Sequence, residues 1–288
     1  MQQNPFTPHH INVTADDLMG NNGIGRYILL PGSDGRAKQI AQYFNHVTIK
    51  PHSRGHNLYL GTLTTDSQSI DVATIASGMG CPSMEIILHE LFQLGGKRFL
   101  RVGTAGSLQP TIVNIGDVII AQASVRDEHT TTDYVPISVP AIASLECILA
   151  ITDAAKKLGI INQCHTGIVH CKSSFYAREF GAGPKAEKNK AYINLLTQCG
   201  ILATEMETAA LFIQSQLYNY LLMQKGNDPA HRVLCGAILG ILAVPPHRFV
   251  NAEEETVIIK NLIDLAIETI KTLAVSEQMN NNQNHQCA

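Results

Sequence analysis

Short uninterrupted apolar runs alternate along the chain with longer stretches in which apolar positions return every three or four residues. The alternation holds from residue 26 to residue 274. The short runs predict strands at Tyr27–Leu30, Leu58–Leu63, Ile70–Ala76, Arg98–Val102, Asp117–Ala121, Gly167–Cys171 and Val233–Leu239. The longer stretches predict amphipathic helices at Gly35–Phe44, Pro82–Leu94, Ala143–Leu158, Lys188–Cys199, Glu205–Tyr218 and Ala252–Leu273. Pro82 stands where a first helical turn tolerates proline, and Gly95-Gly96 supplies the stop of that helix.

Strands and helices that alternate over one continuous stretch predict an α/β fold, with a central mixed sheet flanked by helices on both faces. No internal repeat and no linker divides the chain, so residues 1–276 are expected to form a single domain. The polar stretch Gln224–Arg232 is expected to be a loop. From Glu277 to Ala288 the sequence includes NNNQNHQ and lacks apolar periodicity, which predicts a disordered tail over 277–288.

Composition narrows the class without naming it. At 45% hydrophobic and 16% charged, the chain is of ordinary globular make-up. A net charge of -3 speaks against a nucleic-acid partner, whose binders carry a basic excess. No apolar run approaches the ~20 residues that span a bilayer, and MQQNPFTPHH lacks the apolar stretch of a secretory signal. A cytoplasmic protein with no membrane partner is therefore expected. The seven cysteines are widely spaced and form no CxxC pair, which fits reduced, mostly buried thiols.

Candidate chemistry lies in three glycine-bearing turns that follow predicted strands. They are Pro31-Gly32-Ser33-Asp34-Gly35-Arg36, Ser77-Gly78-Met79-Gly80-Cys81-Pro82-Ser83 and Gly103-Thr104-Ala105-Gly106-Ser107. Glycine lets backbone N–H groups come close to an anion, and a helix start adds a favourable dipole. Neither GxGxxG nor GxxxxGK[ST] occurs, so the dinucleotide fingerprint and the P-loop are both excluded. Arg36 ends the first turn, and Arg101 precedes the third inside the apolar run FLRV. A buried guanidinium needs a partner, and either a phosphate or a structural carboxylate would serve. Glu205-Met206-Glu207 sets two carboxylates at the mouth of an apolar helix. Helix capping and the binding of vicinal sugar hydroxyls both account for them. His89-Glu90 is not part of an HExxH, no histidine pair has metal-ligand spacing, and no metal is expected.

In order along the chain come PGSDGR, HSRGHNLYLGTL, ASGMGCPSMEIILHEL, FLRVGTAGSLQPTIVNIGDVIIAQASVRDE, CKSSFY and ATEMETAAL. Together they resemble the nucleoside phosphorylase-I family, and within it the uridine phosphorylases, over residues 8 to 270. The resemblance implies a sheet that closes partly into a barrel. It implies phosphorolysis of a nucleoside to free base and ribose 1-phosphate, with inorganic phosphate as co-substrate and no cofactor. By the same resemblance Gly32, Arg36, Arg101 and Thr104 hold phosphate, and Glu205, Met206 and Glu207 hold ribose, with Arg101, Thr104 and Glu207 central to catalysis. Arg54 corresponds to an arginine lent to the phosphate site of a neighbouring subunit, and His10 to a histidine lent to the neighbour's ribose. A homodimer, or a hexamer built as a trimer of dimers, is implied.

The base side departs from the family pattern. Ala105, Gly106 and Phe175 border the base by resemblance, with Ala105 where a threonine or serine is common. The Gln-x-Arg pair that reads uracil is Glu179 and Gly181 here, and Arg178 is the candidate for a shifted donor. Gly240-Ile241 stand where the relatives carry Asn-Arg, or, in purine-specific members, an aspartate. The glutamate that binds a monovalent cation in some members is Gly55. Uridine is the expected substrate. Purine nucleoside phosphorolysis, a hydrolytic nucleosidase and a non-catalytic nucleoside-binding protein are the alternatives.

Overall fold

A computed structural model describes residues 6–66, 68–226, 231–245 and 248–286, the stretch 280–286 as backbone alone. Its strands are β1 (Tyr27–Pro31), β2 (Asn45–Lys50), β3 (Leu58–Thr64), β4 (Ser69–Thr74), β5 (Arg98–Ser107), β6 (Val118–Asp127), β7 (Ala141–Ile142), β8 (Cys164–Lys172), β9 (Ala203–Glu205), β10 (Leu234–Val244) and β11 (Arg248–Phe249). The helices are α1 (Ala15–Leu18), α2 (Asp34–Ala41), α3 (Gly80–Gln93), α4 (Leu145–Lys157), α5 (Phe175–Phe180), α6 (Ala186–Gln198), α7 (Thr208–Gln224) and α8 (Ala252–Gln286).

Among the described residues all strands join one sheet in the order β11-β10-β6-β8-β9-β5-β1-β4-β3-β2, with β7 beside β6. A further pairing of β10 with β5 closes part of it on itself. The ring β5-β10-β6-β8-β9 is a mixed five-stranded barrel, as the family resemblance implies. Parallel β1 and β4 and antiparallel β3 and β2 extend it as an open wing.

β1 shows why its sequence is a continuous apolar run. Successive side chains of a strand point to opposite faces, and here both faces are covered. Ile28 and Leu30 enter the core that contains α3 and α7, whereas Tyr27 and Leu29 enter the one that contains α2, α4 and α8.

The structure differs from the pattern-based expectation at element ends. β5 and β10 run well past Val102 and Leu239, because their polar or glycine-bearing continuations pair with one another across the closing seam. β2, β7, β9, β11, α1 and α5 are absent from the expected set, and the helix expected from Glu205 starts at Thr208. The segment expected to be a disordered tail instead continues α8 to Gln286. A reason lies at its start. The Glu277 carboxylate bonds Arg98, 2.6 Å from Nη2, and accepts a 2.8 Å hydrogen bond from Tyr27. Residues 287 and 288, and 227–230 of the expected loop, lie outside the described residues.

Candidate active site

A cavity of about 920 Å³ opens at the mouth of the barrel, where β1, β5, β8, β9 and β10 end. Its floor carries Gly32 and Ser33, between β1 and α2, with Arg36 from the first turns of that helix. The Ser33 hydroxyl accepts from the Arg36 amide at 3.4 Å and caps α2. From β5 come Arg101, Thr104, Ala105 and Gly106.

Arg101 is buried, and its Nη2 donates to the Glu207 carboxylate. Its Nε lies 3.5 Å from Glu205 Oε2, yet Nε and Nη1 have no hydrogen-bond partner. Burial alone would lower the Arg101 pKa; Glu207 and Glu205 outweigh it and hold it above the usual arginine value. Arg36 goes the other way, pushed down by burial and then by the charge of Arg101. Two cations that repel each other beside unmet guanidinium donors make this floor receptive to an anion. Gly103 makes the arrangement possible, since a Cβ there would stand 3.0 Å from the Arg101 guanidinium.

The paired glutamates divide their work. Both Glu205 oxygens accept from the Thr208 amide, and one also takes the Glu207 amide at 2.8 Å. Glu205 therefore caps α7, the structural alternative weighed for it, and in doing so fixes the backbone of Glu207. Glu207 accepts from the Gly80 amide at 2.6 Å and from Arg101, with its carboxylate on the cavity wall beside Met206. Gly78 and Gly80 bring that turn in with φ of +75° and +82°, and a Cβ on Gly78 would lie 2.0 Å from Ser83 Oγ.

The far wall is built by β8, α5 and the end of β10. Phe175, Arg178, Glu179, Phe180 and Gly181 face the cavity, with Phe249 stacked on Phe180. Arg178 is held by carboxylate, amide and aromatic partners. Its Nη2 donates to Asp127 at 2.7 Å, its Nη1 to Asn189 at 2.7 Å, and its guanidinium lies over the Tyr192 ring. It clasps α5 and α6 to β6 while lining the cavity. Gly240 and Ile241 do not line the cavity; a register shift between Ile241 and Ala243 brings Leu242, Ala243 and Val244 there instead. None of these is acidic.

Lys172 is the cavity residue that the sequence reading missed. It ends β8 with its side chain buried, donates to Thr204 Oγ1 at 2.8 Å, and stands 2.7 Å from Glu179. Its position in CKSSFY, at the close of an apolar strand, was the available signal.

His10 and Arg54 lie outside the cavity of their own chain. The buried Glu90 carboxylate takes the amides of His9, His10 and Ile11 and bonds the His10 ring at 2.7 Å. Burial would raise the Glu90 pKa, but these bonds outweigh it and hold it below the usual value. Arg54 is exposed on the turn between β2 and β3. Among the described residues no cluster of three or more His, Cys, Asp or Glu side chains could hold a metal ion, and the six described cysteines are free, Cys199 exposed rather than buried.

A five-stranded barrel extended by an open wing, with unmet arginine donors and a glutamate on the wall at its mouth, defines a recognisable class. Residues 26–223 match the model of the phosphorylase superfamily, and the chain belongs to that family. Its relatives sharpen the comparison. A uridine phosphorylase of Treponema pallidum is 32% identical over 275 residues, 93% of this chain and 95% of its own length. That of Thermococcus kodakarensis is 34% identical over 200 residues, 68% and 69% of the two chains. That of Escherichia coli is 31% identical over 206 residues, 70% and 77%. No helix among the described residues is long and apolar enough to cross a membrane.

Proposed function

We propose that this protein is a pentosyltransferase that cleaves a nucleoside, uridine foremost, with inorganic phosphate to give free base and ribose 1-phosphate. The observation that carries the reading is Arg101, a buried guanidinium with two nitrogens unmet, facing the turn at Gly32 and the Arg36 side chain. A tetrahedral dianion meets that need, whereas the water of a hydrolase does not. Phosphate lies against Gly32, Arg36, Arg101 and Thr104. Glu207 accepts from the ribose hydroxyls while Met206 packs on the apolar face of the sugar. Phe175, Ala105 and Gly106 border the base.

Phosphate attacks C1′ as the bond to the base breaks, and the oxocarbenium-like charge on ribose lies between phosphate and Glu207. No side-chain nucleophile takes part; positioning and fixed charge do the work. Arg54, exposed, and half-buried His10, both outside their own cavity, reach the phosphate and ribose of a neighbouring subunit, so the working unit is a dimer or a hexamer built as a trimer of dimers in the cytoplasm. No cofactor takes part.

The test is base release from uridine, thymidine, inosine and adenosine with and without phosphate. Uracil is expected from uridine only when phosphate is present, and Arg101→Ala is expected to lower turnover about 100- to 1,000-fold with an unchanged circular dichroism spectrum. Base release at equal rates without phosphate would make the protein a nucleosidase and refute the proposal.

A further inference from the structure

We infer that Lys172 and Glu179 act as a pair that reads the base, and that Lys172 takes up the negative charge of the base as the glycosidic bond breaks. The inference rests on the phosphorolysis reading above, and it supplies what the missing Gln-x-Arg pair leaves open.

The geometry singles out these two groups. Lys172 is 2% exposed, on the cavity wall. One of its three N–H bonds goes to Thr204 and another faces Glu179, which leaves the third for a ligand. Glu179 Oε1, though 2.7 Å from that ammonium, is a buried oxygen without a hydrogen-bond donor. Glu179 therefore retains unused accepting capacity in a place where that is costly, beside an ammonium with a third N–H to give. Arg178 is bound to Asp127 and Asn189. Ala105, Gly106, Leu242, Ala243 and Val244 carry no polar side chain, and Glu187, Lys190 and Asn194 are exposed.

A buried chain of hydrogen bonds holds the ammonium in place. Lys172 only donates, so Thr204 accepts from it and keeps its own proton for His170 Nδ1, 3.0 Å away. His170 Nε2 then donates to Asp127 at 2.9 Å, and Arg178 closes the chain on the other side of that carboxylate.

A carboxylate beside an ammonium matches a base edge on which a ring N–H adjoins a carbonyl. Uracil and thymine have this edge, and so do hypoxanthine and guanine. In the same orientation cytosine and adenine set a ring acceptor against the carboxylate and an amino group against the ammonium, and both contacts repel. In the reaction a phosphate oxygen forms the new bond to C1′, and the electron pair of the C1′–N bond leaves with the base. The resulting charge spreads onto the carbonyl oxygens, where the Lys172 hydrogen bond strengthens as the charge grows.

Lys172→Met is expected to lower kcat/KM for uridine about 100-fold or more. The loss should be far smaller for 5-nitrouridine, whose base departs without help, and KM for phosphate should not change. Lys172→Arg should recover part of the rate. Glu179→Gln, which keeps volume but offers cytosine a donor, should raise the cytidine-to-uridine ratio about tenfold. Uridine and inosine run side by side decide which ring system carries the recognised edge. Equal losses on uridine and 5-nitrouridine, or a wild-type rate in Lys172→Met, would overturn the inference. If that variant does not fold, an unchanged cytidine-to-uridine ratio in Glu179→Gln overturns it as well. Wild-type protein that released no base from any nucleoside would instead remove the phosphorolysis reading itself.

Discussion

Asp127 joins the two halves of the base wall, accepting from His170 on β8 and from Arg178 on α5. Burial alone would raise its pKa, but those bonds outweigh it and hold it below the ordinary aspartate value. A carboxyl depressed in the folded state adds stability above its unfolded pKa and loses it as pH falls through the folded one. Asp127→Ala is accordingly expected to cost about 2 kcal/mol at pH 7. Urea unfolding should show the gap to wild type shrinking once pH drops below 3.8. At this scale the sequence showed much of the anion floor, because Arg101 is a charge inside an apolar run and such a charge must be answered. It hid Lys172 for the opposite reason: a lysine at the edge of a run, before two serines, looks like the solvated end of a strand. The roles of Glu205 and Glu207 could not be separated by spacing, since only the backbone direction at the start of α7 decides that Glu205 caps the helix while Glu207 answers Arg101, both at the cavity wall.

The elements tell a similar story. Helices α3, α4 and α8 were visible from periodicity, and so were the central parts of β1, β5 and β10. Their ends were not, because strand length here is set by partners distant in sequence: the residues after Val102 extend β5 only because β10 lies alongside. β9 pairs with β5 and β8 through three residues and has no pattern of its own. Toward its end α8 is tied down through Glu277, which bonds Arg98 and Tyr27. Arg98 is buried under Glu277, and removing one partner of a buried ion pair leaves the other unpaired. Glu277→Ala should therefore lower the unfolding free energy by about 3–5 kcal/mol, measurable as a fall in Tm, with base release preserved at low temperature.

Over the whole molecule, the order of motifs announced the family and with it a partly closed barrel, but not which strands close it, since β5 and β10 meet across nearly half the chain. Closure gathers side chains from β5, β8, β9 and β10 around one mouth and leaves His10 and Arg54 outside it. Those two define a prediction that belongs to the assembly alone. Arg101→Ala and His10→Ala chains, each defective by itself, should complement when unfolded and refolded together. A mixed dimer has one site with both wild-type residues, so roughly a quarter of all sites should work under random pairing. Activity no higher than the sum of the separate variants would show that His10 serves its own chain.

The clasp of Arg178 on Asp127 and Asn189 has a bearing on how such a protein diversifies. It fastens a short segment, α5, to the barrel, and the same segment brings Phe175, Arg178 and Glu179 to the cavity wall. The anion floor belongs to β1, α2 and β5, with which that segment forms no strand pairing. Substrate preference can thus be rewritten within a few consecutive codons while the bond-breaking apparatus is inherited unaltered. On the proposed reading, the departures at Glu179 and Gly181 are a rewriting of that kind.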